Sequence, residues 1–162
     1  MRTLLSLLLI ISLSTQAQNT KHGYGFGTLS AGALVDQKGN AIFLPSAAFG
    51  IGLNKNVFAG AGFYAGKNHA TLNFDIRAVL KGIDKSSLFF AAEPGLVITN
   101  DGILKGGSNV NLLAGFMSKS SKNHPGIVFN LGYSRYTLRS TIGNKTTVYP
   151  FDCFLISGGI KF

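Results

Sequence analysis

Two neighbouring stretches of the chain carry ionisable residues at a spacing that matters. Asp75 and Arg77 lie two apart in one stretch, and Glu93 stands on the polar positions of the next. In an extended chain, residues two apart point to the same side, so two acids and a base share one face. Asp152 and Lys161, in the last stretch, are expected to join that face. A charge taken out of water must be paired, so the first reading is an interior ion network that fills and stiffens a fold. The second is a selectivity element or a proton-linked gate.

Hydrolytic chemistry lacks its parts. A nucleophile needs an adjacent base, yet His22, His69 and His124 are scattered among segment ends and turns, and none begins a His-x-Ser pattern. There is no catalytic carboxylate pair, metal-ligand spacing, phosphate loop or nucleophile elbow. The chain is therefore not expected to be an enzyme or to hold a metal or cofactor. Cys153 is the one cysteine, so no internal disulfide can form. It reads as an apolar lipid-facing or interface residue in preference to a reactive thiol.

The elements that would position these groups are strands. From residue 22 onward, runs of roughly ten residues with period two are separated by polar breaks. Eight such runs are predicted: His22 to Val35, Ala41 to Leu53, Val57 to Gly66, Thr71 to Leu80, Leu88 to Ile98, Ser108 to Ser118, Gly126 to Leu138 and Thr147 to Phe162. The fourth is the clearest, with Leu72, Phe74, Ile76, Ala78 and Leu80 alternating against Thr71, Asn73, Asp75, Arg77 and Val79. The first and third are too rich in glycine to assign a parity. In the fifth, Pro94 removes one ladder bond and suits a bulge or strand end better than mid-sheet.

The last run sets Phe154, Ile156, Gly158, Ile160 and Phe162 on one parity, as a barrel's closing strand facing lipid needs. Closure matters because hydrocarbon offers no partner for an edge strand's N–H and C=O groups. The fold expected is all-β, an eight-stranded antiparallel up-and-down transmembrane β-barrel. Its interior has room only for packed side chains. With both ends periplasmic, breaks 36–40, 67–69, 99–107 and 139–147 face outward, and 54–56, 81–87 and 119–125 are inner turns. The two longest breaks then fall in the outward set. Arg135, beside Tyr133 on the lipid-facing parity, would lie near the outer interface, where it either meets a lipid phosphate or snorkels into water. Tyr133, Tyr136 and Tyr149 would make an aromatic girdle there.

Export fits this picture. Met1-Arg2 precedes an apolar stretch from Leu4 to Leu13, then Ser14-Thr15-Gln16-Ala17. This is the pattern of a cleaved signal peptide, too short to span a bilayer as a helix. Residues 1–17 are assigned to it and residues 18–162 to one barrel domain. Apolar residues are 46% of the chain and charged ones only 13%, against about 25% charged in a typical soluble domain. The net charge of +9 sits mostly on lysines in or beside predicted turns, Lys38, Lys55, Lys67 and Lys119 among them. No strand carries a basic stripe, so anionic lipid is the expected partner and nucleic acid is not.

The segment Asn73-Phe74-Asp75-Ile76-Arg77, the acid in the strand after it, and the closing Gly158-Gly159-Ile160-Lys161-Phe162 resemble the small eight-stranded outer-membrane barrels common in Bacteroidetes. These are similar in architecture to the OmpA transmembrane domain and to OmpX. The resemblance implies a monomer in the bacterial outer membrane, with a structural or surface-interaction role and no wide channel. It also implies that the barrel assembly machinery recognises the terminal strand. A soluble lipocalin-like ligand-binding barrel is the alternative, disfavoured by the missing tryptophan and by ionic groups on the would-be interior. A lipid-modifying barrel enzyme is the third reading.

Overall fold

The computed structural model describes residues 25–99, 104–121, 124–142 and 145–162. The predicted signal peptide and His22 lie outside them. The strands are β1 (Gly25–Asp36), β2 (Ala41–Gly52), β3 (Val57–Ala65), β4 (His69–Val79), β5 (Ser87–Thr99), β6 (Leu104–Met117), β7 (Gly126–Ile142) and β8 (Lys145–Lys161). Each pairs antiparallel with the next, and β8 returns to β1, closing an up-and-down barrel. The seam runs from Thr28↔Lys161 to Asp36↔Cys153, and Phe162 adds a bond from its N–H to the Gly27 carbonyl at 2.9 Å.

Local chemistry sets the tight turns. Asp36 Oδ1 accepts the backbone N–H groups of Lys38 and Asn40, each at 2.8 Å, and Gly39 supplies the left-handed φ of 82° that the turn requires. Between β2 and β3, Asn54 Oδ1 accepts the N–H groups of Asn56 and Val57. No residue of this turn takes a positive φ; the side-chain bonds satisfy the backbone.

Alternation places the two chemistries on opposite faces. Leu72, Phe74 and Ile76 are exposed, whereas Asp75 and Arg77 are at most 2% exposed. The glycine-rich strands, whose parity is not legible in sequence, turn Phe26 and Thr28 of β1 and Phe58 and Tyr64 of β3 inward. Pro94 sits in mid-strand without a bulge. The β4–β5 register is the same at Asn73↔Gly95 and Ile76↔Ala92, so the ladder is interrupted at the proline and then resumes.

The lengths of the connections differ from expectation. Breaks predicted over 99–107 and 139–147 shrink to 100–103 and 143–144, because β7 and β8 are each 17 residues long and pair out to Ile142↔Lys145. Their polar ends are threonine-rich, with Thr141 opposite Thr146, and threonine suits a strand. The longest connections, 80–86 and 118–125, lie at the end where β8 finishes, so loop length no longer supports the predicted orientation. The rim at the opposite end is uneven: β6, β7 and β8 rise well above the short β3–β4 hairpin.

Candidate functional site in the barrel lumen

The lumen is layered. At the end carrying connection 80–86 it is apolar, with Phe26 packed edge-on against Phe58 at a centroid distance of 5.7 Å, and with Phe89, Val79 and Met117 in the same cluster. The connection itself turns inward. Ile83 is buried among these groups, and Lys161 Nζ donates to its carbonyl at 2.7 Å. Lys161 therefore faces the interior as expected, but it ties down this end and does not join the acids.

The middle layer is polar and cross-braced. Arg77 Nη2 donates to Asp75 Oδ2 at 2.8 Å and lies 3.9 Å from Glu93 Oε1. Its guanidinium rests against two aromatic faces, 4.7 Å from the Phe26 centroid and 4.6 Å from that of Phe89, a favourable cation–π arrangement in a desolvated setting. Glu93 Oε2 accepts the Tyr64 hydroxyl at 2.5 Å and the Asn111 amide at 3.0 Å. Asn111 Oδ1 in turn accepts Ser134 Oγ at 2.6 Å. Asp75 Oδ1 and Arg77 Nε and Nη1 have no protein partner, so the network is only partly satisfied within the chain.

Asp152 is not part of this layer. It shares alternation parity with Phe154 and Ile156, so it faces outward on β8, accepts the Tyr133 hydroxyl and lies 3.6 Å from Arg135 Nε. Arg135 is 56% exposed, so this pair contributes little to stability. Tyr136, expected in a girdle with Tyr133, instead points inward and stacks edge-on to His69 at 5.8 Å. Cys153 also takes the lumenal parity, so it is not lipid-facing. Phe154, Ile156 and Ile160 are exposed on the outer face, as the terminal alternation predicts.

Above the polar layer, at the rim bounded by the β1–β2 turn and the β3–β4 hairpin, the interior becomes apolar again. A cavity of about 320 Å³ opens there, walled by Leu34, Val97, Tyr136 and Leu138 with Phe151 and Cys153. Asp36, Asn68, His69 and Thr99 are the polar groups of its wall. Hydrogen bonds from the Asn40 side chain and backbone hold the Asp36 carboxyl, in the turn, below the usual aspartate range. Among the described residues no group of histidine, cysteine and acidic side chains is placed to hold a metal ion.

Sequence reasoning finds Asp75, Arg77 and Glu93 but misses Tyr64, whose strand had no readable parity, and misses the apolar cup altogether. Aromatics inside a barrel defeat the rule that apolar means outward. No family model matches the chain, and no curated protein is similar to it at a significant level.

Proposed function

We propose that this protein is an exported outer-membrane β-barrel with a plugged lumen and a structural or surface-interaction role, a monomer resembling the OmpA and OmpX type. The observation that carries the reading is the inversion of polarity. Large apolar side chains on every strand from β2 to β8, from Phe43 and Ile51 through Phe74 and Phe90 to Leu131 and Phe154, are exposed, whereas Asp75, Arg77, Glu93 and Lys161 are buried. In water such a continuous apolar surface would drive aggregation; against acyl chains it is the favourable face. A lipocalin-like barrel needs the reverse arrangement. The plugged middle layer supports a role without a channel, since an eight-stranded interior is filled by its own side chains.

Fractionation together with detergent-gel migration tests this. The protein is expected with outer membranes, solubilised only by detergent, and migrating differently before and after boiling. Recovery in buffer without detergent would favour the soluble ligand-binding barrel. Unchanged lipid A mass spectra on deleting the gene are expected, since a lipid-modifying enzyme would alter them.

A further inference from the structure

The rim cup borders the outside of the barrel wall at one place. The β2–β3 ladder stops at Ser46↔Tyr64, although β2 continues to Ala41 and still pairs with β1 there. Pro45 stands at the break, and proline has no N–H to continue a ladder. The outer face of this unzipped stretch forms a groove of about 650 Å³, floored by Ala41, Phe43, Pro45 and Ala65. Ile42, Asn68 and His69 line both the outer groove and the inner cup. The two spaces therefore lie on either side of one isoleucine and the tip of the β3–β4 hairpin. Gly66 makes that tip compact: a Cβ there would lie 2.5 Å from the His69 ring.

Lysine is confined to the outer groove, and most of the cup wall is apolar. Lys67 and Asn68 stand at the outer groove, and beyond them the walls are Leu34, Val97, Tyr136 and Leu138. Asp36, the acid of the cup wall, is occupied by three hydrogen bonds from its own turn. An apolar cup at a rim that faces water is costly to hydrate and favours an apolar occupant. At ~30 Å³ per heavy atom, as for a liquid water molecule, it takes on the order of ten of them.

We propose that the cup binds one hydrocarbon chain whose anionic head stays at the wall gap beside Lys67, Asn68 and His69. The chain belongs either to a free fatty acid or to a lipid of the surrounding leaflet. The inference rests on the outer-membrane reading for the second source only.

The chain has no tryptophan, so single tryptophans report separately on cup and belt. Tyr136→Trp places one in the cup and Phe74→Trp one on the outer belt. Each variant is reconstituted in phosphatidylcholine vesicles with brominated acyl chains, or in plain vesicles titrated with brominated decanoic acid. Tyr136→Trp fluorescence is expected to fall at least twofold and saturably with one or both probes, and the effective probe names the source. Adding Val97→Phe, which fills the cup, is expected to abolish that quenching while leaving Phe74→Trp quenched by the brominated vesicles. Quenching of Phe74→Trp with none of Tyr136→Trp overturns the proposal, as does Tyr136→Trp quenching that Val97→Phe does not change. An unquenched Phe74→Trp in brominated vesicles sinks the membrane reading instead. Brominated decanoic acid added in buffer then decides the cup alone: saturable quenching upholds it, and none overturns it.

Discussion

Tyr64 donates its hydroxyl to Glu93 at 2.5 Å across two strands that are not neighbours: Tyr64 is on β3, Glu93 on β5, and β4 runs between them. The bond therefore runs inside the lumen, in front of β4, and is no part of the ladder. Arg77, on the intervening strand, lies below both and meets Asp75 and Glu93. Three successive strands are tied through the interior at mid-height, which makes the lumen a brace.

Removing the hydroxyl leaves a buried carboxyl short of a donor while the ring keeps its volume. Tyr64→Phe is expected to lower the unfolding free energy by about 1–3 kcal/mol. Urea unfolding of the refolded barrel in lipid vesicles, followed by the loss of heat-modifiable migration, measures it. An unchanged midpoint would mean that the bond carries no net stabilisation.

Among the described residues, Arg77 is the one guanidinium facing Asp75 and Glu93. Arg77→Met strands two buried carboxyl groups and should cost about 3–5 kcal/mol. Combining it with Asp75→Asn and Glu93→Gln removes the stranded charge, so the triple variant should regain most of that loss. If the losses simply add, the cluster is not acting as a coupled unit.

A braced lumen should not conduct. In planar bilayers the protein is expected to give no steady ohmic steps. Steps that change amplitude on Arg77→Ala would show that ions pass this residue, and the selectivity reading of the cluster would replace the structural one.

How much of this was legible in the sequence depends on what each face meets. On β4 the outward residues Leu72, Phe74 and Ile76 are apolar and the inward residues Thr71, Asn73, Asp75 and Arg77 polar, so the stretch could be assigned residue by residue. On β1 and β3 the lumen is filled by Phe26, Phe58 and Tyr64, and apolar character no longer marks the outside. At the top of β8, beyond its last β1 partner at Cys153, Val148, Tyr149 and Phe151 are all exposed. There the strand stands clear of the barrel wall, and polarity says nothing about direction. Asp152 lies at that level: its charge suggests the lumen, but its even spacing from Phe154 puts it outside. The strand ends in 99–107 and 139–147 read as loops because glycine and polar residues mark breaks, although the threonines among them also suit a strand. The rim cup was out of reach, because it needs residues from seven strands brought to one level.

The same alternation yields a test whose magnitude depends on the solvent of the outer face. Phe74 is near the middle of β4 and is exposed, across from Ala61 on β3. In water, replacing an exposed phenylalanine by arginine away from any packed feature usually moves stability within about 0.5 kcal/mol. Facing the bilayer midplane, the same change should cost about 2–4 kcal/mol. Arg135→Leu, at a position already 56% exposed beside Asp152, should change stability by less than about 1 kcal/mol in either setting. Urea titrations of Phe74→Arg and Arg135→Leu in phosphatidylcholine vesicles make the comparison. A large loss for the first with little change for the second is the signature of an acyl-chain environment at Phe74. Two equally small changes would mean that this face meets water, and the outer-membrane assignment would fall with it.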